Sequence, residues 1–172
     1  MIHRLIKKVT STLGSRLGLK SQTDVQGQLK VSLVYPDKEE VILDEKNVIT
    51  LLGKIRLLET LYVGSANPVI STLRVGTGGT IDPEGKFPRP ATASLTALFN
   101  EVQSIPVTYT LDETYPSVTY IADVDPTLCN GQLISEAGLF FSDSLMFNIK
   151  TFPAIPKTVD FSIHFEWTIR VS

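Results

Sequence analysis

The segment Val159–Val171, V-D-F-S-I-H-F-E-W-T-I-R-V, constrains the fold more than any other stretch of the chain. Val159, Phe161, Ile163, Phe165, Trp167, Ile169 and Val171 are all apolar, and Asp160, Ser162, His164, Glu166, Thr168 and Arg170 between them are all polar. Only a β-strand with one dry face and one wet face produces period two over that length. At about 3.3 Å per residue it reaches roughly 43 Å. A compact chain of 172 residues has a radius of gyration of about 16 Å. Such a strand crosses the whole domain, bends, or runs beyond it onto a partner. The rest of the chain must supply strands to flank it and an apolar layer to cover its odd face.

The material for that layer is present. Apolar residues make up 42% of the chain and charged residues 20%, the balance of a soluble globular domain with a real core. The single Cys129 excludes an internal disulfide and fits a reducing compartment. No apolar run is long enough to span a membrane. Charge is unevenly spread. Residues 1–20 hold Arg4, Lys7, Lys8, Arg16 and Lys20 and no acid, whereas the remaining 11 Lys and Arg face 18 Asp and Glu, a balance of −7. A basic arm on an acidic body points to a partner.

Within the arm, Ile2, Leu5, Ile6, Val9, Leu13 and Leu17 recur at three- and four-residue spacing and share one helical face. Gly14 and Gly18 weaken its second half. The pattern predicts an amphipathic helix, read first as a docking arm for another subunit. Packing on its own domain, or service as a membrane-surface or targeting helix, stays open. Polar residues 21–28 read as a linker, leaving 29–172 as one β-rich domain.

Alternation predicts a strand over Gln28–Tyr35, stopped by Pro36-Asp37, with Glu40–Leu43 as its hairpin partner. Asn47 offers an N-cap for a helix over Val48–Val63, with Val48, Leu51, Leu52, Ile55, Leu58 and Tyr62 on one face and Gly64 at its end. That helix is the expected cover for a sheet face. A strand over Val69–Val75 enters Gly76-Thr77-Gly78-Gly79, read as a reversal needing positive φ. Asp82–Pro90 reads as an exposed loop, and Leu95, Leu98, Phe99 and Val102 as a short helical stripe. Ile105–Leu111, Val118–Val124, Leu133–Phe141 and Leu145–Phe152 follow as strands, with Pro153 and Pro156 in the loop before the last one. The fold class expected is mainly β, an antiparallel β-sandwich with one or two covering helices and the N-terminal amphipathic helix.

Few residues suggest chemistry. His3 lies on the arm and His164 on the wet face of the last strand, where a lone histidine is ordinarily a surface residue. No His, Cys, Asp and Glu cluster has metal-ligand spacing. Cys129 has no neighbouring base in sequence and reads as a small turn or core residue. Glu136 with Asp143 could be imagined as a glycosidase pair, but two carboxylates in one hairpin arise by chance. Gly76–Gly79 fits neither phosphate-binding fingerprint, since position 81 is Ile and no Gly-Lys-Ser/Thr follows. No nucleic-acid motif accompanies the basic arm. No catalytic residue, cofactor or metal site is expected.

The run I-S-E-A-G-L-F-F (Ile134–Phe141), then K-T-F-P-A-I-P-K-T (Lys150–Thr158), then F-S-I-H-F-E-W-T-I (Phe161–Ile169) resembles the ending of tailed-bacteriophage virion proteins. These are small tail, collar or baseplate components, tail-collar fibre-type proteins among them. L-R-V-G-T-G-G-T (Leu73–Thr80) and L-T-A-L-F-N-E (Leu95–Glu101) are similar to the upstream part of that pattern. The resemblance spans roughly residues 69–171 and omits the arm. It implies a non-enzymatic assembly subunit of a phage particle, made in the bacterial cytoplasm and sited in the tail, neck or baseplate. It would be a homo-oligomer, with other virion proteins as partners and no nucleic acid or membrane span. The alternative expectation is a carbohydrate- or receptor-binding β-sandwich module, which would need exposed aromatics on one sheet face.

Overall fold

The structure, a computed structural model, describes residues 25–63 and 69–171, without the side chains of 60–63 and 171. Its strands are β1 (Val25–Val34), β2 (Glu39–Lys46), β3 (Val48–Ile49), β4 (Ile70–Gly76), β5 (Glu101–Pro106), β6 (Thr108–Asp112), β7 (Ser117–Val124), β8 (Leu133–Phe141), β9 (Met146–Pro156) and β10 (Ser162–Val171). One helix, α1 (Leu51–Val63), lies between β3 and β4. The strands form two five-stranded antiparallel sheets, ordered β2-β1-β10-β7-β6 and β3-β9-β8-β4-β5. The chain is mainly β, as its alternating patterns predict.

β10 is the central strand of the first sheet. Phe161, Ile163, Phe165, Trp167 and Ile169 are buried, while Ser162, His164, Glu166, Thr168 and Arg170 are half-buried or exposed. The alternation therefore assigns the faces correctly. Val159 is the exception: it is exposed in the turn before β10, so the strand begins three residues later than the sequence pattern suggests. β1 pairs with β10 along its whole length, from Val25 opposite Val171 to Val34 opposite Ser162. Residues 25–28, expected to be linker, are thus strand. Their polar side chains, Gln26 and Gln28, occupy the wet face, which hid the strand from a reading of hydrophobicity.

The second sheet is covered on both faces, so β8 is buried from Ile134 to Phe141. Its inner side chains join Leu29, Val31, Phe165 and Trp167 in the main core. On its outer face Phe140, Met146 and Ile149 pack with Leu98. Leu98 comes from an irregular segment, not from the helix expected over Leu95–Val102, and Val102 is already in β5. The backbone N–H groups of Phe99 and Asn100 donate to the Glu136 carboxylate, so a tertiary acceptor replaces the intrahelical one.

Three further boundaries shift for identifiable reasons. The predicted strand Ile105–Leu111 is two strands: β5 belongs to the second sheet and β6 to the first. The chain changes sheets at Val107, whose N–H donates to Ser71 O. Pro153 lies within β9 because a register shift between Ile134 and Glu136 of β8 accommodates residues 152–154, and a bulge tolerates proline where a regular ladder does not; Pro156 is the last residue of β9, opposite Leu133. α1 starts at Leu51 and its cap is Thr50, whose Oγ1 accepts the Gly53 N–H at 2.9 Å. Val48-Ile49 pairs with β9 instead. Gly64, the expected end of the helix, lies outside the described residues.

Candidate functional site

The residues that carry the SEAGLF and VGTGG motifs meet at one buried carboxylate. Glu136 Oε1 accepts the N–H groups of Gly78 (3.0 Å) and Asn100 (2.7 Å), and Oε2 accepts that of Phe99 (2.8 Å). The neighbouring Ser135 Oγ accepts the Gly79 N–H at 3.0 Å. Three charge-assisted bonds make the burial of a carboxylate tolerable. The glycines serve close approach here, not positive φ. A Cβ on Gly76 would lie 2.5 Å from Glu136 Oε1, and one on Gly79 only 2.0 Å from Ser135 O. Positive φ occurs instead at Gly85 and Gly131. Asp143, in the β8–β9 turn, is ion-paired with Arg56 and not with the site of Glu136.

His164 stands in a polar row across the wet face of the first sheet. Its Nδ1 lies 2.7 Å from Asp123 Oδ1 on β7, and its Nε2 lies 3.3 Å from Glu166 Oε1. Glu166 Oε1 also accepts from Lys30 Nζ at 3.1 Å. That bond holds the Lys30 ammonium above its ordinary range. Ser32 is opposite His164 in the β1–β10 register, which places Ser, His and Asp on three adjacent strands. The row is not built as a nucleophilic relay. Ser32 is fully buried with its Oγ unpartnered, and the His164 nitrogen that would serve it faces Glu166.

Lys157 is the other buried charge. Its Nζ donates to Thr158 O (2.5 Å), Pro126 O (3.3 Å) and Asn130 Oδ1 (3.4 Å), and sits 5.2 Å from the centre of the Phe161 ring. All three acceptors are neutral, and burial pushes the ammonium below the ordinary lysine range. The turn wrapped around it is pre-shaped. Asp125 Oδ1 accepts the Thr127 N–H and hydroxyl, which lowers the carboxyl below its usual range. Cys129 adopts φ 57° in this turn, and burial pushes its thiol up, away from the reactive thiolate.

No three His, Cys, Asp or Glu side chains converge as a metal site among the described residues. No described helix is long and apolar enough to cross a membrane. The interface residues read from the sequence, Ile2, Leu5, Ile6, Val9, Leu13 and Leu17, lie outside the described residues.

Two groups of exposed apolar side chains on the described surface bear on association, beside others such as Val41, Ile81 and Phe87. On α1, Leu51, Ile55 and Leu58 are 59%, 43% and 66% exposed. The helix faces the second sheet through Gly53, where a Cβ would lie 2.2 Å from Phe147 O, so the stripe expected to cover the sheet points partly away from it. At the β6 edge, Tyr109, Leu111 and Tyr115 are 64%, 68% and 72% exposed. Tyr109 and Leu111 stand in line with Tyr120 and Val118, and those with Trp167 and Ile169. They therefore prolong the dry face of the first sheet beyond the cover that the described residues supply. Period-two alternation marked these residues as interior and could not reveal that the layer above them ends.

No family model, no curated protein and no solved structure matches the chain.

Proposed function

We propose that the chain is a non-enzymatic structural subunit of a tailed-bacteriophage particle. It belongs to the tail, neck or baseplate and mediates subunit or fibre attachment as a homo-oligomer among other virion proteins. The observation that carries the reading is the use to which the motif residues are put. Glu136, Gly76–Gly79 and Lys157, which bear the resemblance, are spent on backbone hydrogen bonds and close packing. Exposed apolar side chains include Tyr109 and Leu111 on one edge strand and Leu51, Ile55 and Leu58 on one helix.

The two edges of the first sheet differ in a way that suits attachment. β2 carries Glu39, Glu40, Asp44 and Glu45 against Lys46, a charged edge that resists pairing. β6 reads Thr-Tyr-Thr-Leu-Asp and pairs only with β7 among the described residues. Antiparallel pairing of two β6 edges about Thr110 would set Tyr109 against Leu111 and Asp112 against Thr108, with no like charges opposed. A second copy is therefore the partner that edge suits.

The test is compositional. Particles purified from a lysate of cells carrying the gene should contain the chain at a fixed ratio to the major tail protein, and the purified chain should be an oligomer. A monomer absent from particles would overturn the reading. A carbohydrate- or receptor-binding module is the second reading, favoured by exposed Tyr109 and Tyr115 on one edge, since such rings stack on sugars. Glycan-array binding abolished by Tyr109→Ala and Tyr115→Ala would select it.

A further inference from the structure

We infer that the apolar stripe of α1 is the seat of the chain's own N-terminal arm, residues 2–17. Leu51, Ile55 and Leu58 follow one another at i, i+4 and i+7 and form a continuous row on a helix that is otherwise applied to the second sheet. The arm carries a matching row, Ile2, Leu5, Ile6, Val9, Leu13 and Leu17. An isolated helix of that length is marginal in water and gains its stability by burying such a face.

Position selects this chain's own arm over another's. Residues 25–28 are held in β1 by their pairing with β10, so residues 18–24 are all that separates the arm's apolar row from the body. Fully extended, seven residues reach roughly 23 Å. The arm leaves the body at Val25, and Val25 and Lys54 of α1 line the same surface groove, of about 310 Å³. Lys54 stands three residues from Leu51 and four from Leu58, a separation of about 5–6 Å between Cβ atoms on a helix. The stripe is therefore within reach of a short connection. A neighbouring copy would have to bring its own Val25 equally close. Two apolar rows then meet as helix against helix, and α1 becomes the middle layer between the second sheet and the arm. This packing is independent of the particle role.

Hydrogen exchange on the full chain, read by mass spectrometry, tests it. In the wild-type protein, peptides from 1–20 and from α1 should both be protected. Leu5→Asp with Val9→Asp should speed exchange in α1, and Ile55→Asp or Leu58→Asp should speed exchange in the arm. Each effect should be roughly tenfold or more, the change expected from losing one buried Leu-sized contact. Both α1 sites are exposed on the body, and unchanged protection of β8 peptides identifies variants that remain folded. Protection that persists through hundredfold dilution supports the chain's own arm. Protection lost on dilution means the arm of another copy and overturns the assignment. So does an arm that is unprotected, that is indifferent to both α1 substitutions, or that becomes protected only when anionic lipid vesicles are added.

Discussion

Glu136 Oε1 lies 2.7 Å from the backbone nitrogen of Asn100, 36 residues earlier in the chain. That bond explains why an acid sits inside the most apolar strand of the protein. The carboxylate closes the Gly76–Gly79 turn and the Phe99-Asn100 turn onto β8 at once. Glu136→Ala should leave three part-buried donors short of an acceptor, each costing about 1 kcal/mol where water can reach it and more where it cannot. The expected loss is about 2–3 kcal/mol in urea unfolding. Glu136→Gln keeps one acceptor oxygen and should lose clearly less. Equal losses would mean that the charge and both oxygens are needed together.

Trp167 and Thr168 are sequence neighbours on opposite faces of β10, one fully buried and one half-buried in a hydroxyl pair with Thr119. Trp167→Asp places an unpaired carboxylate in the core and should cost several kcal/mol, comparable with the whole stability of a domain. Thr168→Asp should cost about 1 kcal/mol or less, one exposed-side hydrogen bond. Thermal melts that shifted equally would refute the assignment of faces.

The dry and wet faces of β10 were legible because β10 is central and one layer covers it completely. Legibility failed wherever a tertiary partner outweighed a local pattern. Leu95, Leu98 and Phe99 have helical spacing, yet Glu136 claims the N–H groups that a helix would need. Ile105–Leu111 alternates without interruption, but alternation cannot tell which sheet a residue faces, and the chain passes from one to the other at Val107. Lys157 looks like any loop lysine, and only the fold reveals the ring and carbonyls around it.

Lys157 gives the stability a pH dependence of known sign. Burial lowers its folded-state pKa, so between the folded and the unfolded value the unfolded chain binds more protons. Stability contributed by this group should rise as pH increases through that window, which ends near the ordinary lysine value of about 10.4. Burial of the Cys129 thiol acts the other way, raising its pKa and costing stability as pH climbs above the unfolded thiol value. The two are separated by difference. Urea midpoints of the wild type minus those of Lys157→Met, measured from pH 7 to 11, should increase with pH. A flat difference would mean that the ammonium is as well solvated in the folded chain as in the unfolded one.

His164→Ala removes the imidazole between Asp123 and Glu166 but leaves the Lys30–Glu166 pair. Partly exposed polar contacts of this kind contribute about 0–1 kcal/mol, so the melt should move little. Cys129→Ser should likewise leave folding and particle assembly intact. An assembly-competent, normally folded His164→Ala protein that lost infectivity would reopen a catalytic role for the polar row.

The β6 edge yields the sharpest test of self-association. Among the described residues, Tyr109 and Leu111 are exposed dry-face residues next to an unpaired backbone edge, whose sequence would self-pair without charge repulsion. Leu111→Lys would put an ammonium where the partner's Tyr109 packs, and a lysine on an edge strand is a known deterrent to pairing. Losing one central aromatic–aliphatic contact and burying a charge there should cost about 2 kcal/mol or more, a weakening of roughly thirtyfold or greater in Kd. Val41→Lys on β2 is the control. That residue is also exposed on an edge, but its edge is already acidic and should not pair. Sedimentation of the three proteins at matched concentrations should show the wild type and Val41→Lys at the same oligomeric mass and Leu111→Lys shifted toward the 18.9 kDa monomer. If Leu111→Lys keeps the wild-type mass, the oligomer is held by some other surface. If Val41→Lys dissociates instead, the acidic edge is the one in contact.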